Sequence, residues 1–377
     1  MDLKALQSKS PIVKAAMSER LADRKGYITP EYLLLYSYWS EYCTHLITGH
    51  FMISEDCIAE SGNVIVRNDD KFIAGLQDLR NACSGKTLII QLNHCGRQVP
   101  KSLVFFRKVK AISPYPRAIN FAFAQPEALT PEKLVDIIAK FYDAAATVLP
   151  FCDGVEIHCA HGYLLSEVLS KQIANDEYLG IVSFLFKKLK ANYPNKIIAT
   201  KLNLGDFNDI EHFTKIVDAI ESDVDLIEVS GGSYNDPIFL SENPRHELFK
   251  KFIKSCADQS IKNKLMFTGG IRTKKDIDDI LKSGVLVGIG RPFCIDPFYC
   301  NKIATDELIT LRSVPKFHPF VEQVFNFAER VTKLNLLKSV CDVIYCQHAM
   351  KSGTKFQAKL TLWESLKILF LFIISLL

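Results

Sequence analysis

At 377 residues, 48% apolar and 23% charged, the chain has the composition of a packed globular protein and not of a disordered or fibrous one. A net charge of +4 spread over scattered lysines excludes the concentrated basic surface that nucleic acid requires. Eleven cysteines without CxxC spacing, in a chain with no secretory leader at its start, read as reduced thiols of a cytoplasmic protein.

In chain order, short β-rich apolar runs alternate with longer helical segments. The expected strands are 12–17, 44–49, 87–92, 154–158, 196–202, 225–230, 264–269 and 285–290. Helical spacing occupies 30–42, 70–82, 131–148, 164–170 with 181–192, 209–221, 245–258 and 274–282. Thr130 followed by Pro131 marks a capped start for the third helix. Eight βα units predict an α/β fold, a (β/α)8 TIM barrel; a doubly wound open sheet has the same periodicity but no reason to stop at eight. The barrel is expected over 1–335, with a C-terminal extension from 336 to 377. The connection 93–127 is the longest, placed to shape a pocket or to form a surface loop. The run 368–377 carries no charge, but its ten residues fall short of the ~20 that span a bilayer. Membrane contact, a docked helix and a loose tail all fit it.

Chemistry concentrates in DGVEIHCAHGYLLSEVLS, residues 153–170. Strand alternation puts Val155 and Ile157 on one face and Glu156 and His158 on the other. His158, His161 and Tyr163 then cluster at a strand's C-terminal end, where barrels place reactive groups. FTGGIRT (267–273) and GIGRPF (288–293) pair glycine backbone, including Gly269 and Gly270, with Arg291, the makings of a phosphate cradle after strands seven and eight; tight turns use glycine as well. Gln91 offers an amide that can pair with a heterocycle edge, and Lys201 a cation at the barrel mouth. Alternatively, Gln91 is a satisfied interior amide and Lys201 is paired with a carboxylate such as Glu228. The histidines lack metal-site partners at helical spacing, so no metal is expected, and the pair His94–Cys95 reads as structural.

These motifs resemble the old yellow enzyme family of FMN-dependent ene-reductases and NADH:flavin oxidoreductases. The resemblance runs through KAAMSE (14–19), LITG (46–49), QLNHCGRQ (91–98), GVEIHCAHGYLL (154–165), ATKLN (199–203), IEVSGG (227–232), TGGIRT (268–273) and GIGRP (288–292), one near each expected strand end. It implies a single-domain member with FMN as cofactor, NADH or NADPH as transient reductant and a small-molecule substrate. Ala16, Met17 and Ser18 would then lie along the flavin, with His50 less direct; Gln91 would meet the pyrimidine edge and Lys201 the N1/O2 side. Gly270, Gly290 and Arg291, with Gly269, would hold the phosphate. His158 and His161 would polarise a substrate carbonyl, hydride would pass from flavin N5 to the β-carbon, and Tyr163 would protonate the α-carbon. The chain departs from the family at NDEYLGIVSF (175–184), shortened and altered, and in its short lead-in to strand one, which predicts a less complete barrel floor. The altered segment leaves room for a non-catalytic flavin-binding relative, and the phosphate cradle alone would also suit a non-redox barrel enzyme.

Overall fold

The computed structural model describes residues 10–104, 109–113, 124–170, 173–203, 210–230, 252, 259–262, 264–271, 273–295, 317–332, 345–350 and 360–376. Eight parallel strands close on themselves: β1 (Ile12–Lys14), β2 (His45–Met52), β3 (Thr87–Asn93), β4 (Gly154–Cys159), β5 (Ile197–Asn203), β6 (Leu226–Ser230), β7 (Leu265–Thr268) and β8 (Leu286–Ile289). Each pairs with the next in sequence, and β8 pairs with β1 at Val287↔Ile12 and Ile289↔Lys14, which makes the sheet a barrel and excludes the doubly wound alternative. A two-residue strand, Val64–Ile65, adds to the end of β2.

Around the barrel run α1 (Pro30–Tyr42), α2 (Asp70–Ala82), α3 (Pro131–Val148), α4 (Asp176–Asn192), α5 (Ile210–Ile220) and α6 (Lys274–Leu281). Their starts are written in short polar residues. Thr29 Oγ1 accepts from the Tyr32 amide at 3.2 Å, Thr130 Oγ1 from Lys133 at 3.4 Å, and Thr273 with Asp276 forms a reciprocal capping box. The altered segment 175–184 is sound local structure. Asn175 caps α4 through the Tyr178 amide at 2.8 Å, and Asp176 and Glu177 favour the positive helix end, so the helix begins five residues before the expected 181. Apolar spacing missed this turn because its signal is capping. The expected helix 245–258 lies, apart from residue 252, outside the described residues, as does the lead-in before Ser10.

Strand alternation sorts the core into two. Outward residues such as Val155, Ile157, Leu202 and Val229 pack beneath the helices. Inward, Val13, Ile47, Ile89, Ile197, Ala199, Leu226, Met266 and Leu286 form an apolar layer drawn from seven strands, which fills the barrel below the polar residues described next. A third cluster joins Phe317, Val321, Phe325, Tyr345, Ala349, Leu360 and Ile368, where α7 (Pro319–Thr332) packs against α8 (Leu362–Leu376). Part of the uncharged tail thus docks as a helix, and among the described residues no helix is long and apolar enough to cross a membrane.

Candidate active site

Above the apolar layer the inward positions turn polar: His50 on β2, Gln91 on β3, Glu156 and His158 on β4, Lys201 on β5 and Glu228 on β6. Register places Gln91 beside Glu156, His158 beside Lys201, and Lys201 beside Glu228. Gln91 Nε2 donates to Glu156 Oε1 at 2.6 Å, and Lys201 Nζ stands 2.6 Å from Glu228 Oε1. Lys201 is therefore a paired cation, the second of its two sequence readings. Sequence reasoning did not single out Glu156 or Glu228 as site residues: parity put Glu156 on the His158 face, and Glu228 was named only as a counter-ion, although the same parity puts it inside.

His50 is delivered by a bulge. The β2–β3 register slips between Ile47 and His50, and Thr48 Oγ1 takes over from the backbone by accepting the Gln91 amide at 3.0 Å. The bulge needs Gly49, where a Cβ would fall 2.0 Å from both Glu19 Oε2 and the Met17 carbonyl. Beyond it the His50 ring stacks on His158 at 5.2 Å and 10°, and meets Tyr163 edge-on at 5.2 Å. His158 lies 5.3 Å from His161 and 5.0 Å from Tyr163. His50 is thus a full member of the ring cluster.

Burial holds the His50 imidazole down to about 3 and, with electrostatic opposition from His50, His161 and Lys201 adding, holds His158 well below its ordinary range. Both rings are neutral near pH 7, so His158 serves as a hydrogen-bonding imidazole. His161 sits in the left-handed region at φ 61°, a conformation that costs a non-glycine residue about 1–2 kcal/mol. Gln98 Nε2 grips its carbonyl at 2.9 Å and Ser230 Oγ lies 3.3 Å from Nε2. The loop after β3 thereby positions the ring, with Arg97 paired to Glu167 beneath it. His94 is structural: its Nδ1 accepts the Gly96 amide at 3.0 Å.

The β1 motif reaches the same rim. Met17 would lie 3.5 Å from a Cβ at Gly290, so the ends of β1 and β8 are in contact. Ala16 packs against the inner apolar layer. Ser18 is partly diverted, donating to Glu60 Oε2 at 2.7 Å and accepting from Asn63 at 3.4 Å. Gly269 and Gly270 leave β7 at φ 110° and 70°, beside Ile289 and Gly290 by the Thr268↔Gly288 register, with Arg291 next in the chain.

Several buried polar atoms find no partner among the described residues: Gln91 Oε1, His158 Nδ1, Asn93 Oδ1 and Thr268 Oγ1. Such atoms cost free energy unless a ligand meets them. An isoalloxazine ring offers both donors and acceptors along its pyrimidine edge, so the residues present fit a flavin.

The comparisons agree. The family model described as NADH:flavin oxidoreductase / NADH oxidase matches residues 1–180. An NADH-dependent flavin oxidoreductase, nadA, of Aspergillus parasiticus is 28% identical over 334 residues, covering 77% of this chain and 74% of the relative. An NADH:acrylate oxidoreductase of Vibrio harveyi is 25% identical, over 78% of this chain and 32% of that longer protein. The crystal structure of TcOYE with pHBA superposes with a TM-score of 0.68 at 16% identity, over 80% of this chain and 90% of that one, which shows the common fold. Barrel and relatives together define an NAD(P)H-dependent flavin oxidoreductase. The chain is similar to the NADH:flavin oxidoreductase / NADH oxidase family, the old yellow enzyme group, whose model matches its first 180 residues.

Proposed function

We propose that the protein reduces activated C=C bonds of α,β-unsaturated carbonyl type, using NADH or NADPH and FMN. The observation that carries this reading is the packing of the His50, His158, His161 and Tyr163 rings, adjacent centroids 5.0–5.3 Å apart, at the polar layer that holds Gln91 and Lys201. The Vibrio relative is an NADH:acrylate oxidoreductase, and acrylate is of this chemical class.

FMN, when bound, supplies hydride transfer between the nicotinamide and the substrate β-carbon. Gln91 would hold its pyrimidine edge, with Lys201 beside the N1 side, and Ala16, Met17 and Ser18 would line the ring. Gly269, Gly270, Gly290 and Arg291 would hold the phosphate, backbone N–H groups and one guanidinium being suited to an anion. His158 and His161 would donate to the substrate carbonyl oxygen, drawing electrons from the β-carbon. A neutral imidazole does this without being consumed as an acid, which leaves proton delivery to the α-carbon to Tyr163. Gln98 and Ser230 would fix the His161 ring so that two donors converge on one oxygen.

The purified protein should show a flavin spectrum after incubation with FMN and bleach anaerobically with NADH or NADPH. Tyr163→Phe should then slow reoxidation by an enone at least 10-fold and leave bleaching nearly unchanged, the size expected for loss of a general acid. Equal slowing of both half-reactions would remove Tyr163 from proton delivery, and a protein that takes up no flavin would end the reading.

A further inference from the structure

The barrel interior holds an ionisable pair that the proposed reaction leaves unused. Glu156 and Glu228 are both 0% exposed and project inward from either side of β5, Glu156 held by Gln91 at 2.6 Å and Glu228 by Lys201 at 2.6 Å. Two buried carboxyls that share a single ammonium do not readily both ionise, because burial and like charge both penalise the second negative charge. The Oε2 atoms of both find no donor among the described residues. Burial, then repulsion from Glu228, hold Glu156 well above the ordinary carboxylate range, with Lys201 opposing. The charged and titratable groups facing the pair are Lys201 on β5, His158 on β4 and, beyond Lys201, His50 on β2; β3 presents Gln91, and β7 presents Met266 and Thr268. One proton held by Glu156 and the Lys201 ammonium balance the two carboxyls, which leaves the resting layer electrically neutral.

We propose that Glu156 and Glu228 form a proton-uptake site coupled to the flavin: the pair holds one proton while the flavin is oxidised and binds a second when it is reduced. This rests on the reading that the flavin lies over Gln91 and Lys201. Hydride carries two electrons and one proton from the nicotinamide, adding one negative charge to the bound flavin. In a buried site that charge is costly unless compensated. Lys201 cannot compensate it fully while its ammonium is engaged with Glu228 at 2.6 Å. A proton from solvent onto the carboxyl pair removes its negative charge and turns the Lys201 charge over to the reduced ring. When hydride leaves for the substrate, the second proton returns to solvent. Glu156 and Glu228 are positioning residues in this scheme, acting through Lys201.

The test uses the FMN-loaded protein, titrated electrochemically from pH 7.5 to 9 alongside reduced-minus-oxidised infrared difference spectra. One proton per two electrons moves the midpoint by about 30 mV per tenfold change in proton activity, and two protons by about 59 mV. The wild type should follow the two-proton slope and gain a protonated-carboxyl band that shifts in D2O. Glu228→Gln and Glu156→Gln should fall to the one-proton slope and lose the band. If neither variant folds, the wild-type band decides. Flavin bound with a one-proton slope and no carboxyl band overturns the proposal but leaves the flavin reading standing. A two-proton slope that persists in both variants likewise overturns it, the proton then residing elsewhere. Absence of flavin uptake overturns both.

Discussion

Replacing Glu19 by glutamine should unfold the β1 rim from within, because it strips the counter-charge from a fully buried lysine. Lys14 is 0% exposed and points outward from β1 under α1, where Nζ contacts Glu19 Oε1 at 3.4 Å, Tyr36 Oη at 3.2 Å and the Ile47 carbonyl at 2.8 Å. It also lies 4.3 Å over the Trp39 ring. The same Glu19 Oε1 accepts Tyr36 Oη at 2.5 Å and the Gly49 amide at 2.9 Å, so one carboxylate ties β1, α1 and the β2 bulge together. At 3.4 Å and an effective dielectric of ~20 the attraction is about 5 kcal/mol. Burial pulls Lys14 below its ordinary range and Glu19 is the largest influence opposing it, so the ammonium depends on this partner. Removing one member of such a pair costs ~3–5 kcal/mol, whereas replacing both by well-packed groups is often neutral. Glu19→Gln should therefore lose about 3 kcal/mol or more by urea unfolding at pH 7, recovering part of it toward pH 10 as Lys14 gives up its proton. Adding Lys14→Met should restore most of the loss, and FMN affinity should follow, since residues 16–18 hang from this anchor. Losses that simply add in the double variant would show that the two charges are not coupled and refute the reasoning.

Gly49→Ala should cost of order 3 kcal/mol, at the upper end for overpacking, because its Cβ meets a backbone carbonyl at 2.0 Å. Gly290→Ala should be nearly neutral for stability, its Cβ meeting only Met17 at 3.5 Å, yet weaken FMN binding measured by fluorescence titration if the phosphate approaches that backbone. Acid should destabilise the protein through its buried imidazoles, held to about 3 at His50 and about 4 at His94. Both pKa values are depressed on folding, so the unfolded chain binds more protons below ~6.5 and each histidine removes ~1.4 kcal/mol per pH unit as pH falls from there toward its folded value. Urea midpoints from pH 7 to 5 check this, and His94→Gln, if it folds, should flatten the slope; an unchanged slope would place the linkage elsewhere.

Much of the site was legible because barrel strands reveal their inward face by parity. Gln91, His158 and Lys201 share that face, and Tyr163 follows two residues after a turn that must be tight. The ring cluster was readable for the same reason, except that His50 stands one register step out of place. Its position depends on the bulge at Thr48 and Gly49, a backbone event with no periodic signature. The Ser18 bond to Glu60 joins residues 42 apart in sequence and left no local trace.

By itself the sequence determined the eight βα units, their order and the strand ends where chemistry gathers, since periodicity and capping are local properties of the chain. Tertiary structure alone decided the charges. Whether Lys201 is a free cation or half of an ion pair, whether Glu156 keeps its proton, and whether His158 is neutral depend on burial and on partners from other strands. Those energies arise only when the barrel closes and water is excluded from its interior.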